Sequence, residues 1–263
     1  MQSNIFTLPF DFNEAKKSNI LLTGTNHTGK SRLAAGLCSI LQTLNWKIIA
    51  FDNAGIWKRI SDIPIYVDVE PSEYFYQIPI VNKSIIYDIS QLIPERQKIF
   101  VDYVLRDAWE NRESQNYQWL LIMFEEAQLY LRNIRGNVSQ NIMRIASAGR
   151  NRQIRVLAIT VDLSLLDPAF IRLCQQRYHA KLGIEENAKR KYRNYYGKEW
   201  LNTTINLELG QFVYLNKNKL EKIRVPLFQS KRQPISYTEY LDSLTPKIEQ
   251  KPSLLQRIKG LWK

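Results

Sequence analysis

Hydrophobic positions along the chain fall into short continuous runs, separated by segments in which apolar residues recur at helical spacing. Five runs are too apolar for strands that face water on one side: 18–23, 47–51, 83–89, 119–124 and 155–160. Such runs are typical of parallel strands buried on both faces. Helical spacing follows Lys30 and recurs in 94–112 and 139–150. The alternation predicts an α/β fold with a doubly wound, mainly parallel sheet flanked by helices.

The last third of the chain has a different pattern. A helical region is predicted through Tyr196, and residues 205–227 are predicted to form a β-hairpin or two returning strands that turn near 216–219. The remainder is basic and interrupted by prolines, which predicts a tail that docks or stays mobile. A chain of 263 residues with 44% apolar composition buries one large core. We therefore predict an extension (1–18), one main domain (19–228) and a C-terminal tail (229–263).

An eight-residue loop joins the first predicted strand to the first predicted helix and fits the pattern GxxxxGK[ST]. It consists of Gly24, Thr25, Asn26, His27, Thr28, Gly29, Lys30 and Ser31. The glycines let backbone N–H groups point at phosphate oxygens, Lys30 neutralises phosphate charge and Ser31 ligates Mg²⁺. A chance glycine-rich turn is the alternative, but the position between strand and helix favours a P-loop. We predict that this loop and Arg32 bind ATP, with His27 only filling the loop.

Two acids, Glu125 and Glu126, follow the fourth predicted strand. A P-loop that hydrolyses its nucleotide needs carboxylates on such a strand. Glu125 is predicted to hold Mg²⁺ together with Ser31, and Glu126 to orient and polarise the attacking water. In the alternative interpretation both acids begin the next helix, where negative charge suits the helix dipole. Lys30 and the two acids together predict Mg²⁺-dependent hydrolysis of ATP.

Several further blocks occur in the order typical of the FtsK/HerA superfamily of ring-forming, DNA-pumping ATPases, which this chain resembles. The blocks are FDNAGIW at 51–57, IIYDISQL at 85–92, a long helix from 96 to 112, FEEAQ at 124–128, AGRNR at 148–152, VLAIT at 156–160 and LSLLDP at 163–168. The resemblance covers about residues 19–225 and implies a RecA-like P-loop domain. Only some eighteen residues precede the first strand, so the β-barrel of archaeal HerA members is expected to be absent. The layout is similar to that of compact viral genome-packaging ATPases.

The resemblance also implies roles for residues near the end of the fifth strand. Family members usually place Gln after the threonine of that strand, whereas this chain has Val161 and then Asp162. A phosphate-sensing role therefore falls to Thr160 or Asp162. Glu125 replaces the commoner aspartate, and Gln128 stands where the family has histidine.

A cation from a neighbouring subunit is the remaining catalytic group that the resemblance implies. Ring ATPases use it to stabilise charge that develops on the γ-phosphate. Arg150 is the first choice, and Arg152 and Arg155 are the other candidates. The alternative for each is a solvated basic helix end that suits the helix dipole.

Positive charge is concentrated towards the C-terminus. The formal net charge is +12, and residues 217–263 contain eleven Lys or Arg against four Asp or Glu. This charge predicts a polyanionic partner, either nucleic acid or an anionic membrane surface. Residues 189–196 alternate cations with tyrosines, which suits contacts to phosphates and bases or, alternatively, a charged helix face over packed tyrosines. Residues 253–263 are predicted to place their apolar side chains on one stripe, which would suit docking on a capsid, a membrane surface or its own subunit.

Cysteine spacing and hydropathy bound the location. Cys38 and Cys174 lack the spacing of a metal or disulfide framework, and no apolar run reaches the roughly 18 residues needed to span a bilayer. We expect a cytoplasmic or, for a viral protein, virion-associated location. The predicted function is an ATP-driven double-stranded DNA translocase that works as a homo-oligomeric ring, by resemblance a hexamer, with viral genome packaging preferred. The alternatives are a plasmid-conjugation or chromosome-handling pump, and a nucleotide-switched protein that docks on capsid or membrane without moving DNA.

Overall fold

The structure is a computed structural model that describes residues 10–71, 83–112, 119–132, 139–183, 185–217, 219–225, 228–230 and 233–244. The strands within these ranges are β1 (Asn19–Thr23), β2 (Trp46–Asp52), β3 (Ile65–Asp68), β4 (Ile85–Asp88), β5 (Trp119–Phe124), β6 (Ile154–Thr160), β7 (Cys174–His179), β8 (Gln211–Asn216), β9 (Lys219–Arg224) and β10 (Ile235–Ser236). The helices are α1 (Phe12–Ala15), α2 (Lys30–Thr43), α3 (Trp57–Ile60), α4 (Pro94–Glu110), α5 (Gln140–Ala148), α6 (Pro168–Arg172), α7 (Glu186–Tyr196), α8 (Lys198–Ile205) and α9 (Tyr237–Leu244).

All ten strands belong to one sheet, in the order β10-β3-β4-β2-β5-β6-β1-β7-β8-β9. Pairing is parallel from β10 to β7 and antiparallel from β7 to β9. The predicted doubly wound, mainly parallel sheet and its C-terminal hairpin are confirmed. Because parallel strands end at the same edge, Thr23, Asp52, Phe124 and Thr160 lie along one edge of the sheet. The register pairs Thr23 with Thr160 directly.

Each face of the sheet carries its own apolar core. One core joins strand residues such as Phe51 and Phe124 to Phe100 of α4, and the other joins Leu22 and Ile159 to Leu37 of α2. The central strands are therefore buried on both faces, as their continuous apolar runs predict. Within the described ranges, none of the helices is both long and apolar enough to cross a membrane.

Three strands differ from the sequence prediction. Residues 174–179 were expected to be helical. They form β7, because this polar segment, CQQRYH, pairs with β1 on one side and with β8 on the other. The short strand β3 is only half-buried and leaves no apolar run. The two-residue strand β10 lies within the predicted tail and pairs with β3 at the far edge of the sheet. Residues 245–263, including the predicted apolar stripe, lie outside the described residues.

A buried histidine at the end of β7 contacts the end of β1, just before the loop that follows it. His179 is fully buried, and its Nδ1 lies 2.7 Å from Oγ1 of Thr23. Its ring packs edge-on against Tyr192. Burial lowers the pKa of His179 from 6.5 to about 3, and the positive charge of Arg177 adds to the effect. The imidazole therefore stays neutral in the folded protein at neutral pH.

We expect the fold to lose stability as the pH falls below about 6.5, because the unfolded chain then binds a proton that folded His179 binds only near pH 3. At 1.36 kcal/mol per pKa unit, His179 is expected to lower the free energy of unfolding by roughly 3 kcal/mol between pH 7 and pH 4. Urea unfolding over that range measures the loss, and His179→Phe should remove it. His27, which is exposed and the chain's other histidine, supplies the control His27→Gln. Equal pH slopes in both variants would contradict the assignment.

Candidate active site

The loop between β1 and α2 has a backbone shape that two of its glycines make accessible. Gly24 has φ of +139°, and a Cβ added there would lie 2.7 Å from Cβ of Ala180. Gly29 has φ of 95° and precedes α2 without a side-chain cap. The first N–H groups of α2 are therefore left for an external acceptor. A helix N-terminus with uncapped N–H groups is the arrangement that binds phosphate.

Lys30 lies at the first position of α2 and is 7% exposed. Its Nζ donates to the carbonyl oxygen of Thr25 at 2.8 Å, so the ammonium is folded back over the loop. Burial lowers the pKa of Lys30, while the carboxylates of Glu125 and Glu126 oppose that shift. A buried cation facing uncapped N–H groups favours an anion in the space between them.

Glu125 lies directly beyond the end of β5 and faces the loop. Ser31 donates from Oγ to Oε1 of Glu125 at 2.8 Å, and Trp57 donates from Nε1 to Oε2 at 2.8 Å. Glu125 is 5% exposed; burial raises the pKa of its carboxyl group, and the two hydrogen bonds oppose that shift. A hydroxyl and a carboxylate oxygen in direct contact are the hard oxygen ligands that suit Mg²⁺. Ser31 and Glu125 thus fit the predicted metal-binding role.

Glu126 follows with a left-handed backbone, φ 53°. This conformation costs a non-glycine residue on the order of 1 kcal/mol, and such strain is concentrated at functional sites. The next residues, 127–129, form a short 3-10 turn that Glu126 does not cap, so the structure does not support the alternative in which the acids begin an α-helix. The Gln128 amide donates to Oε2 of Glu126. Glu126 therefore lies beside the loop as a partly exposed carboxylate.

A cleft of about 510 Å³ brings these side chains together. It is lined by residues 26–32, 54, 56, 60, 125, 126, 159–161 and 209. Thr160 contributes from the end of β6, and its Oγ1 donates to the carbonyl oxygen of Asp162 at 3.2 Å. Asp162 instead caps the 3-10 turn at 163–165 with its carboxylate and lines a neighbouring cavity. Of the two expected sensor residues, Thr160 is the one that faces the cleft.

The outer part of the cleft is formed by Arg32 and by the loop before β8. Arg32 donates from Nη1 to the carbonyl oxygen of Phe228 at 2.9 Å, which holds its guanidinium across the start of α2. Leu209 is 54% exposed and lines the same cleft. His27 is exposed at the tip of the loop. Every residue predicted to bind nucleotide from 26 to 32 therefore lines this one cleft.

The three candidate arginines lie elsewhere. Arg155 is 2% exposed, and its guanidinium donates to the carbonyl oxygens of Ile154 and Lys16. Burial, followed by the charge of Arg150, lowers the pKa of Arg155 to about 10. Arg155 is therefore a core residue and not a candidate for contact with another subunit. Arg152 is partly buried and donates to the carbonyl oxygen of Trp109.

Arg150 is exposed, and within the described residues its side chain makes no hydrogen bond or ion pair. It precedes β6, whereas the cleft lies beyond the other end of that strand. The seven residues of β6 span roughly 20 Å. Arg150 therefore cannot reach the phosphate loop of its own chain.

The basic and aromatic segment 189–196 matches the alternative of a charged helix face over packed tyrosines. Tyr192 is fully buried and accepts a hydrogen bond from Thr204. Tyr196 accepts one from Arg177 at 2.8 Å. Tyr195 alone among the three tyrosines is exposed. The rings of Tyr192 and Tyr196 therefore pack against the core, and Tyr195 is exposed together with the polar residues of this helix.

Trp57 holds a carboxylate of the site although no role was predicted for it, and Leu209 lines the cleft likewise unpredicted. The block 51–57 was singled out by resemblance, but nothing in its spacing predicts a contact with Glu125, which lies 68 positions later. The indole is fully buried beneath the cleft. Only the parallel pairing of β2 with β5 brings the two segments together.

No protein-family model and no curated protein sequence matches the chain. Solved structures match its fold. The genome packaging NTPase B204 from Sulfolobus turreted icosahedral virus 2, in complex with ATP-gammaS, has a TM-score of 0.63 and 15% identity over 81% of this chain and 99% of its own. VirB4 of Thermoanaerobacter pseudethanolicus has 0.60 and 10% over 79% and 89%. The bacterial conjugative coupling protein TrwBdeltaN70 has 0.61 and 10% over 84% and 88%.

These matches place the chain in a fold class. It has the P-loop NTPase fold, with the phosphate loop after β1 and the acidic pair after β5. At identities this low the matches speak for the fold alone. The P-loop fold that the resemblance to FtsK/HerA-type ATPases implies is confirmed.

Proposed function

We propose that the chain is an Mg²⁺-dependent ATPase that hydrolyses ATP in the cleft above β1, β5 and β6. The observation that carries the proposal is the direct contact between Ser31 of the phosphate loop and Glu125 of the acidic pair, 2.8 Å apart. This contact joins the phosphate-binding and metal-binding halves of the site without any rearrangement of the sheet. B204, which shares the fold, is described in complex with ATP-gammaS and with AMPPCP, and these ligands support ATP as the nucleotide.

Each side chain has a definite part in the proposed reaction. The loop N–H groups and Lys30 bind the phosphates, and Lys30 exchanges its carbonyl partner for phosphate oxygens. Glu126 orients the attacking water and accepts its proton as the water oxygen bonds to the γ-phosphorus, while the bond from that phosphorus to the ADP oxygen breaks. Thr160 donates from Oγ1 towards the transferred phosphate. Ser31 and Glu125 would hold Mg²⁺, which neutralises charge on the β- and γ-phosphates.

We further propose that ATP turnover moves double-stranded DNA. Support comes from the shared fold, since B204 is named as a genome packaging NTPase and TrwB as a conjugative coupling protein. The net charge of +12 also favours a polyanionic partner. Viral genome packaging, in the host cytoplasm or on the virion, is the preferred role. The match to TrwB, which is named as a conjugative coupling protein, favours plasmid conjugation as the second candidate.

The chain is proposed to act as a homo-oligomeric ring, with six subunits as the expected number. Arg150 is exposed at the edge of the sheet opposite the cleft, so it can meet phosphates only in an adjoining copy. A head-to-tail arrangement that brings Arg150 to the neighbour's cleft closes into a ring when the rotation between subunits allows it. Docking of the ring on a capsid or membrane surface belongs to the same proposal.

The proposal is tested by the rate of phosphate release from ATP with and without duplex DNA. We expect duplex DNA to stimulate hydrolysis about tenfold or more, and we expect the stimulation to fall steeply with salt because phosphate contacts release counterions. Heparin serves as the control for a polyanion without a duplex. A rate that is insensitive to DNA, or raised equally by heparin, would favour the alternative of a nucleotide-switched binding protein.

A further inference from the structure

Trp57 occupies a position at the site that neither nucleotide nor metal would touch directly. The residue opens α3 and is fully buried. Its indole N–H donates to Oε2 of Glu125 at 2.8 Å, and its backbone N–H donates to Oδ2 of Asp52 at 2.7 Å. One residue therefore connects the ends of β2 and β5 through two hydrogen bonds. Both acceptors are carboxylate oxygens.

The two oxygens of Glu125 are divided between two donors. Oε2 accepts from Trp57, and Oε1 accepts from Ser31 on the opposite side. A glutamate side chain has more rotatable bonds than an aspartate, so its carboxylate must be held if one oxygen is to face a metal consistently. Donors on both oxygens fix the plane of the carboxylate as well as its position. Ser31 would also bind the metal. Trp57 is therefore the donor that holds Glu125 on the side away from the metal.

The short helix α3 is itself anchored through its first two residues. Asp52 accepts from the backbone N–H groups of Ala54 and Trp57 at its start. Lys58, the next residue, pairs with Asp88 at 3.1 Å and with Asp68 at 2.6 Å. These contacts tie α3 to the carboxyl ends of three neighbouring strands. The indole is therefore held by contacts to the framework of the sheet.

We propose that Trp57 is a positioning residue for Mg²⁺: its indole N–H holds the Glu125 carboxylate so that Oε1 faces the metal beside Ser31. The inference rests on the proposed ATPase function. Residues that hold a metal ligand from behind set metal affinity, and their loss costs about tenfold to a hundredfold in binding. Trp57 is accordingly assigned to metal binding and not to the attacking water or the nucleotide.

The test is calorimetric titration of Mg²⁺ into the protein bound to the non-hydrolysable analogue AMPPCP. Trp57→Phe keeps an aromatic ring but removes the donor, and we expect Mg²⁺ affinity to fall about tenfold. Affinity for metal-free AMPPCP should stay within about twofold, because the phosphate loop is untouched. Trp46→Phe is the matched control. Trp46 is also buried and lies on the same strand as Asp52, but at the opposite end of that strand, where it stacks on Trp119. This control should leave both affinities unchanged.

Equal Mg²⁺ affinity in wild type and Trp57→Phe would overturn the inference, as would an equal loss in Trp46→Phe. If Trp57→Phe does not fold, indole ¹H–¹⁵N signals of the wild type give the answer, assigned by replacing the other tryptophans one at a time. The Trp57 signal should move when Mg²⁺ joins bound AMPPCP, and an unmoved signal overturns the inference. A wild type that binds no AMPPCP at all would instead remove the proposed ATPase function.

Discussion

Replacing Lys30 by alanine is expected to reduce the kcat for ATP hydrolysis about 10³-fold, a loss at the upper end of what one electrostatic donor contributes. The ammonium is the buried cation at the start of α2, and its 2.8 Å hydrogen bond to Thr25 already holds it over the phosphate loop. Without it, the negative charge of the γ-phosphate faces Glu125 and Glu126 with less compensation. Phosphate release measured at saturating ATP and Mg²⁺ gives the effect.

Stability measurements separate this loss from misfolding. Burial disfavours the charged form of Lys30, so removing the ammonium should leave the free energy of unfolding unchanged or slightly higher. Lys198→Ala is the control, because Lys198 is exposed at the start of α8. Hydrolysis retained in Lys30→Ala would mean that the loop from Gly24 to Ser31 is not the site of ATP turnover.

The same variant also tests the proposed role of Arg150 between subunits. Arg150→Ala and Lys30→Ala proteins should each be inactive alone and should regain part of the activity when mixed. In a mixed ring, an intact phosphate loop from one variant meets an intact Arg150 from the other. No recovery on mixing, under conditions where the two proteins exchange subunits, would count against Arg150.

Replacing Glu126 by glutamine is expected to lower kcat about 10³-fold while leaving ATP affinity unchanged. The amide has the size of the carboxylate and can still accept from Gln128, so the local structure should persist. It is a weaker acceptor for the attacking water, and general-base assistance is worth roughly 10² to 10⁴ in rate. Single-turnover hydrolysis and equilibrium binding of ATP, measured on the same preparation, separate the two effects.

The neighbouring acid provides the contrast. Glu125→Gln should weaken Mg²⁺ binding, because Glu125 is the carboxylate in contact with Ser31. High Mg²⁺ should partly restore its rate, whereas it should not restore Glu126→Gln. If high Mg²⁺ rescued Glu126→Gln and not Glu125→Gln, the roles of the two acids would be reversed.

The parts of the site that sequence predicts are those encoded by neighbouring residues. The phosphate loop is recognisable because its glycines, Lys30 and Ser31 must follow one another within eight positions. The parallel sheet is recognisable because strands buried on both faces leave continuous apolar runs. The acids after β5 are recognisable for a similar reason. They directly follow a buried strand, and the carboxyl ends of parallel strands lie at the same edge of the sheet.

Contacts between distant segments could not be predicted in this way. Trp57 contacts Glu125 only because β2 lies beside β5. The order of strands in a sheet cannot be predicted from the local pattern of apolar and polar residues. Arg155 was grouped with Arg150 by proximity, although it is also the first residue of the predicted buried strand 155–160, a position that favours the interior. The segment that forms β7 was predicted to be helical. Its polar residues form a strand because they pair with β1 and β8, and the sequence alone does not show these neighbours.

In the proposed function, ATP hydrolysis in the cleft moves the protein along duplex DNA. Displacement of a third strand from a duplex DNA by the wild-type protein tests this claim most directly. We expect displacement to require ATP and Mg²⁺ and to be lost in both Lys30→Ala and Glu126→Gln. A wild-type protein that hydrolyses ATP in the presence of this DNA but leaves the third strand bound would contradict it.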